Sequence, residues 1–270
     1  MVVLPPGTLL QLMYLDERLK GISPGRFIEI GPGSGEITNR LLRAGWTGTV
    51  YDLSDETVAK LKQRFDSEII SGRLAVVLGD FLKSPPLCQQ EDRVDVIISC
   101  MVMEHLDNEA ERRFMEHSKT RLKAGGRMIG LVPASPSHWG IEDDIAGHCR
   151  RYSKDSLSSL FRATGWSLGY VAGLTYPVSN MLLPLSNFLV RRHEANKLSL
   201  TSLERTKDSG RRNVRFKTHF PSILKLLLNE QTMLPLYWVQ KLFSNSDRAL
   251  VIYFEATCKA QTTTDGKQGH

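Results

Sequence analysis

The sequence lacks the features that hold together small or secreted domains. Its 270 residues include four cysteines, none of which forms a CxxC pair or a Cys/His group with zinc-finger spacing. We therefore expect free thiols in a reducing compartment and no metal ligands. A chain of this length buries enough apolar surface to fold without such cross-links.

Membrane-spanning and secretory patterns are also missing. The longest apolar stretch, residues 168–190, is interrupted by Pro177, Asn180, Pro184 and Asn187, whereas a spanning helix needs about 20 mainly apolar residues. The first residues lack the basic start of a signal peptide. These absences predict a cytoplasmic protein.

Positive charge is concentrated in the second half of the chain. Residues 1–147 carry 17 Lys and Arg against 21 Asp and Glu, whereas residues 148–270 carry 18 against 8. The formal net charge of +6 therefore belongs to the second half. Because an excess of one sign favours a partner of the opposite sign, we expect an anionic substrate, carrier or surface there. Such binding should weaken with added salt.

Strand-like and helix-like segments alternate along the chain. Short runs rich in Val, Ile and Phe predict buried strands, and helical spacing lies between them. The pattern predicts an α/β fold with a doubly wound, mostly parallel seven-stranded sheet and a helical insert before the last strand. The predicted strands cover residues 26–30, 49–52, 74–78, 94–99, 127–132, 166–172 and 249–257.

The segment 173–248 is far longer than a connecting loop needs. We predict a core of residues 1–172 plus 249–260, a substrate-side insert or lid over 173–248, and a disordered tail over 261–270. The insert contains basic runs and a leucine-rich helix near 223–228. The positive charge of the insert has three interpretations. It forms a solvated face, it binds an anionic acceptor or carrier, or it contacts the surface of an anionic membrane.

A glycine-rich turn follows the first predicted strand. Residues 27–37 read FIEIGPGSGEI, so a strand runs into the turn and a helix follows. Glycines let the backbone approach a ligand closely, and a helix N-terminus offers unpaired N–H groups; a plain tight turn is the alternative. Gly31, Gly33 and Gly35 have G-x-G-x-G spacing, not the G-x-G-x-x-G of a dinucleotide site. This spacing disfavours a nicotinamide-dependent oxidoreductase.

The turn resembles the first motif of class I S-adenosylmethionine-dependent methyltransferases, E/D-x-G-x-G-x-G, with Glu29 at its acidic position. The resemblance implies the Rossmann-like methyltransferase fold and S-adenosyl-L-methionine as the cofactor, with the loop beside its methionine part. Similar segments follow in order over about residues 22–172. They are IISCMVMEHL at 97–106 ("EHL"), RLKAGGR at 121–127 ("LkpGG") and GHCRRYS at 147–153 ("GHxRRYs").

The resemblance also implies the cofactor contacts. Asp52 ends the second strand, where the family places a carboxylate on the ribose hydroxyls. Asp80 and Phe81 follow the third strand, where the family contacts the adenine amine and ring. Taken alone, Asp52 is an ordinary strand-end residue and Asp80 a helix or turn cap. The predicted cofactor-binding set is Glu29, Gly31, Gly33, Gly35, Asp52, Leu53, Asp80, Phe81, Ser99 and Met101.

Two histidines are the candidate catalytic residues. Methyl transfer mainly requires an acceptor held in line in a site without water, and a general base helps when the acceptor is a hydroxyl or an ammonium. His105 follows the fourth strand, and its unperturbed pKa lies near ~6.5; alternatively it shapes the loop or contacts the cofactor. His148 is the second candidate.

The candidate substrate-binding residues surround these histidines. Arg150, Arg151 and Tyr152 suggest an anion clamp, because guanidinium binds carboxylate or phosphate bidentately. Alternatively, both arginines are solvated or pair with the acidic residues at 142–144. Trp139 is placed to form a wall of the acceptor pocket. The predicted substrate-binding set is Glu104, Trp139, Arg150, Arg151 and Tyr152.

These features predict methyl transfer to a small-molecule acceptor, on an oxygen of an anionic metabolite or biosynthetic intermediate. An RNA methyltransferase is an alternative that the basic half favours. However, residues 99–102 read SCMV rather than the N/D-P-P-Y/F loop of many base methylators, and no RNA-binding module is visible. A nicotinamide-dependent oxidoreductase and a catalytically silent binding module of the same fold are further alternatives. No sequence feature indicates the oligomeric state.

Overall fold

The computed structural model describes residues 3–85, 90–194, 224 and 226–258. Its strands form one seven-stranded sheet, which confirms the predicted architecture. In chain order they are β1 (Arg26–Ile30), β2 (Thr47–Asp52), β3 (Leu74–Leu78), β4 (Val94–Cys100), β5 (Leu122–Pro133), β6 (Trp166–Leu174) and β7 (Val251–Cys258). The order across the sheet is β3-β2-β1-β4-β5-β7-β6.

The neighbouring strands from β3 to β5 pair in parallel, whereas β7 is antiparallel to both β5 and β6. The chain leaves β1 toward β2 on one side and later returns to β4 on the other. This reversal of strand order is the switch point at which open α/β sheets bind ligands, at the carboxyl ends of the strands.

Helices flank the sheet. They are α1 (Pro6–Leu19), α2 (Glu36–Arg43), α3 (Asp55–Arg64), α4 (Asp66–Ile70), α5 (Asn108–Arg121), α6 (Ile141–Ala146), α7 (Lys154–Ala163), α8 (Val178–Glu194) and α9 (Glu230–Leu242). Two of these helices begin at a serine that caps their first turn. The Ser54 hydroxyl accepts from the Thr57 amide at 3.2 Å, and the Ser153 hydroxyl accepts from the Ser156 amide at 3.0 Å. Each side chain satisfies an otherwise unpaired N–H of the first helical turn.

The core forms a layer on each face of the sheet. Consecutive strand residues point to opposite faces, so Phe27 and Ile98 are buried in one cluster and Ile28 and Ile97 in the other. Residues of α1, α2 and α9 cover the first face, and residues of α5 and α7 cover the second. Both faces are therefore apolar, as a parallel sheet requires.

Two local expectations differ from the structure. β5 begins at Leu122 rather than at residue 127, because Leu122 is buried and pairs with Val94 across a bulge. Helix α1 was not among the predicted elements, although a proline at its first position is a favourable helix start. It buries an apolar face and is tied to the sheet by a 2.7 Å hydrogen bond between the hydroxyls of Tyr14 and Tyr170.

The described part of the insert consists mainly of α8 and α9. The described residues of the predicted helix near 223–228 form a tight turn, in which the Leu227 and Leu228 amides donate to the Leu224 carbonyl. The basic run at 205–217 and the tail at 261–270 lie outside the described residues. At the end of α8, Arg191 and Arg192 are exposed. Within the described ranges, none of the helices is both long enough and apolar enough to cross a membrane.

Candidate functional site

The glycine turn links β1 to α2 in a conformation that side chains rarely adopt. Gly31, Gly33 and Gly35 have φ of +64°, +53° and +79°, which lie in the left-handed region that favours glycine. A Cβ on Gly35 would stand 2.7 Å from the Phe65 ring, whereas a Cβ on Gly33 would meet nothing within 4 Å. Gly35 is therefore required by packing against α3, and Gly33 faces open space.

A cavity of about 920 Å³ lies over this turn, at the carboxyl ends of the parallel strands. Its base includes the turn and the residues that follow β1, β2, β3 and β4, and α1 contributes Thr8 and Gln11. The part near α8 is mainly apolar, although Ser179 and Ser186 also line it. Its leucines are Leu182, Leu183, Leu185 and Leu189, with Leu224, Leu227 and Leu228 from the segment before α9. Sequence reasoning missed this leucine-lined wall.

Two carboxylates stand at neighbouring strand ends on the cavity wall. The Asp52 carboxylate accepts a 2.8 Å hydrogen bond from the Ser54 amide, and the Asp80 carboxylate accepts a 2.9 Å bond from the Leu82 amide. These local bonds fix the direction of both side chains. The structure brings to the same wall Gly31, Gly33, Asp52, Leu53, Asp80, Phe81 and Met101 of the predicted cofactor-binding set.

Three predicted cofactor residues lie behind the wall instead: Glu29, Gly35 and Ser99. Glu29 is buried and accepts a 2.6 Å hydrogen bond from the Thr38 hydroxyl, so it ties β1 to α2. Burial raises the pKa of the Glu29 carboxyl to about 7. The Ser99 hydroxyl is buried and has no hydrogen-bond partner among the described residues. Cofactor contact by these three residues stays a prediction.

The loop after β4 brings Glu104 and His105 to the cavity. The Glu104 side chain is 0% exposed, and neither of its carboxylate oxygens has a hydrogen-bond partner in the described part of the chain. Burial raises the pKa of this carboxyl to about 8. Burial, and secondarily the neighbouring His148, lowers the pKa of His105 to about 4. A neutral imidazole and a poorly solvated carboxyl therefore stand side by side.

His148 joins these groups from the loop after α6. The His148 and His105 rings are 4.8 Å apart and nearly perpendicular, and His148 Nε2 lies 3.9 Å from a Glu104 oxygen. His148 Nδ1 lies 2.8 Å from the Asp143 carboxylate, which also accepts a 2.8 Å hydrogen bond from Arg151. Burial acts to raise the pKa of Asp143, but these bonds outweigh it and the pKa is lowered. Asp143 therefore orients the His148 ring.

Arg150 and Tyr152 of the GHxRRYs segment form hydrogen bonds with other parts of the chain. Arg150 donates to the Glu111 carboxylate at 2.7 Å and to the Leu106 carbonyl at 2.9 Å. Tyr152 is buried and donates to the same Glu111 carboxylate. Neither Arg150 nor Tyr152 lines the cavity. Both side chains therefore bind Glu111, which lies outside the acidic group 142–144 of the alternative, and substrate contact by Arg150 and Tyr152 stays a prediction.

Arg151 and Trp139 differ in their position. Arg151 lines the cavity, but it donates to Asp143 and to the Ala134 carbonyl at 3.0 Å. Trp139 is 42% exposed, is not part of the cavity wall, and donates to Asp144 at 2.9 Å. Asp143, which links His148 to Arg151, was anticipated only as an ion-pair partner. Substrate contact by these residues stays a prediction.

Residues 9–170 match the protein family described as "Methyltransferase domain", which is more than half of the chain. Over 57 residues the chain is 42% identical to a ribosomal RNA small subunit methyltransferase of Arabidopsis thaliana, covering 21% of this chain and 16% of that protein. Other curated relatives are matched over 24–45% of their length. The chain thus spans less than half of the length of these curated relatives.

Two solved structures share the fold over most of the chain. The [4+2]-cyclase SpnF superposes with a TM-score of 0.56 at 14% identity, covering 92% of this chain and 80% of that one. The glycopeptide N-methyltransferase MtfA superposes with a TM-score of 0.52 at 12% identity, covering 95% and 91%. At such low identity these likenesses show the fold alone, and a fold hosts more than one reaction.

The chain forms a Rossmann-like domain with a ligand cavity at its switch point. This follows from the order of the strands, the glycine turn and the two carboxylates at the strand ends. With the family match over residues 9–170, the chain belongs to the class I S-adenosylmethionine-dependent methyltransferases. This confirms the predicted family and its cofactor, S-adenosyl-L-methionine.

Proposed function

We propose that this domain transfers a methyl group from S-adenosyl-L-methionine to an oxygen of a small-molecule acceptor. The observation that carries the proposal is the cavity of about 920 Å³, whose wall includes both the glycine turn and the cluster of Glu104, His105 and His148. A volume in this range suits small-molecule ligands. Donor and acceptor could therefore be held together in one cavity.

The residues at the switch point fit the cofactor. Gly33 lines the cavity, and a Cβ built on it would meet no atom within 4 Å, so its backbone is open to a ligand. Asp52 and Asp80 offer two carboxylates along the same wall, suited to the hydroxyl and amino groups of a nucleoside. S-adenosyl-L-methionine, when bound, supplies a methyl group activated by a positively charged sulfur.

The other end of the cavity would hold the acceptor. Its leucine-lined part favours an acceptor with apolar surface, and Glu104, His105 and His148 provide the polar groups. When a hydroxyl is methylated, its proton must leave. This cluster is the part of the wall that can take or displace that proton.

The experiment uses S-adenosyl-L-methionine with an isotope-labelled methyl group. It is incubated with the full chain and either the small-molecule fraction or the total RNA of a cell extract. We expect label in a small molecule, with the methyl group on oxygen by mass spectrometry. Gly33→Trp, which fills the cofactor end of the cavity, is the matched control and should transfer none. Label found in RNA alone would overturn the proposal in favour of a nucleic-acid acceptor.

A further inference from the structure

We propose that Glu104, His105 and His148 bind a divalent transition-metal ion in the wall of the cavity. One ligand atom from each residue lies within 4.8 Å of those from the other two. When the metal–ligand bonds are about 2.0–2.2 Å long, two ligand atoms of the same tetrahedral ion lie roughly 3.4 Å apart. Side-chain movements of about 1 Å would therefore bring these three groups into coordination.

The orientation of His148 suits a metal ligand. Its Nδ1 faces the Asp143 carboxylate at 2.8 Å, so Nδ1 carries the proton and the Nε2 lone pair faces Glu104. Metal-binding histidines usually have such a carboxylate or carbonyl on the second ring nitrogen. Asp143 is in turn held by Arg151 and the Gly140 amide, which keeps the ring in place.

The surroundings of Glu104 indicate a bound cation independently of the distances between the three residues. It is a fully buried carboxyl that lines the cavity, and both oxygens lack a hydrogen-bond partner among the residues described. Arg151, the nearby cation, is engaged by Asp143. Buried polar groups are normally satisfied, and a buried carboxylate is normally paired or bound to a metal. A cation between Glu104 and the two imidazoles would satisfy it.

The two segments that carry these ligands are fastened to each other. The Cys149 amide donates to the Glu104 carbonyl at 2.6 Å, and Arg150 donates to the Leu106 carbonyl at 2.9 Å. The GHxRRYs segment thus holds His148 against the loop that carries Glu104 and His105. Two imidazoles and one carboxylate favour zinc or iron(II) over magnesium, calcium or manganese, which prefer oxygen ligands.

The role of the ion rests on the proposed function, whereas its binding does not. An acceptor hydroxyl that becomes a ligand of the ion loses its proton to water. The electron pair of the O–H bond stays on the oxygen, and the ion stabilises the resulting anion. The oxygen is then ready to accept a methyl group, with no histidine acting as the base.

The test measures zinc binding itself by calorimetry and by metal analysis after gel filtration of the chelator-treated full chain. We expect about one zinc per chain. In Glu104→Gln and His148→Gln, zinc affinity should fall by more than the ~10–100-fold typical of second-shell changes. His117→Gln, at a half-buried histidine that does not line the cavity, is the matched control and should bind zinc normally.

X-ray absorption of the zinc-loaded wild-type protein provides a readout that needs no variant. We expect nitrogen and oxygen ligands only, at about 2.0–2.2 Å. A sulfur ligand would place zinc at the exposed Cys149 instead and would overturn the proposal. So would the absence of zinc binding, or zinc affinity unchanged in both variants. S-adenosyl-L-methionine binding measured on the same samples reports the proposed function separately.

Discussion

Alanine substitutions at Gly33 and Gly35 should have opposite main effects, although both glycines have positive φ. At Gly33 a Cβ meets no atom within 4 Å, so the cost to stability is the left-handed backbone alone, about 1–2 kcal/mol. At Gly35 the Cβ also overlaps Phe65 and Leu61. Overpacking adds about 1–3 kcal/mol, so we expect a loss of about 2–5 kcal/mol there.

The loss of cofactor affinity, in contrast, should be larger for Gly33→Ala than for Gly35→Ala. The added methyl group of Gly33→Ala projects into the cavity beside the turn, and we expect S-adenosyl-L-methionine to bind at least about tenfold more weakly, or ~1.4 kcal/mol. Gly72→Ala is the matched control. Its φ is +72° with nothing within 4 Å of a Cβ, and it lies outside the cavity wall. It should lose similar stability and bind the cofactor normally.

The assays are urea unfolding for stability and calorimetry for cofactor affinity, with all variants measured at the same temperature. Calorimetry at concentrations where each variant is folded separates a lost site from a lost fold. A folded Gly33→Ala protein with wild-type affinity for S-adenosyl-L-methionine would refute the reasoning. Equal stability of the Gly33→Ala and Gly35→Ala proteins would refute the assignment of Gly35 to packing.

Three further substitutions test contacts around the site. Glu29→Gln should flatten the pH dependence of urea unfolding. The Glu29 carboxyl has a pKa near 7 in the native state and 4.5 in the unfolded state, so its contribution to stability is complete below about pH 4.5. Up to about 3 kcal/mol of the free energy of unfolding is lost as the pH rises through 7, and glutamine removes this loss. Tyr152→Phe leaves a Glu111 oxygen without its donor, so unfolding free energy should fall by about 1–3 kcal/mol with cofactor affinity unchanged. Ser54→Ala removes a helix cap and should cost about 1 kcal/mol in the same urea assay.

The parts of the fold that depend on short-range pattern could be predicted from the sequence. Gly31, Gly33 and Gly35 follow an apolar strand, and their spacing alone pointed to the turn and the ligand edge of the sheet. The helix caps at Ser54 and Ser153 are equally local. Such features are set by neighbouring residues, so one sequence suffices to find them.

Features that depend on distant partners could not be predicted. Helix α1 gains its stability from burial against the sheet and α9, which lie far from it along the chain. The partners of Arg150 and Arg151 were ambiguous because Glu111 and Asp143 lie 39 and 8 residues away along the chain. The approach of His148 to Glu104 likewise exists only once α6 has folded over the cavity.

Calorimetric titration of the wild-type chain with S-adenosyl-L-methionine, and in parallel with NADH, tests the central claim most directly. The cavity at the glycine turn and the G-x-G-x-G spacing predict that S-adenosyl-L-methionine binds and that NADH does not. Absence of S-adenosyl-L-methionine binding at millimolar concentration, or tighter binding of NADH, would contradict the account.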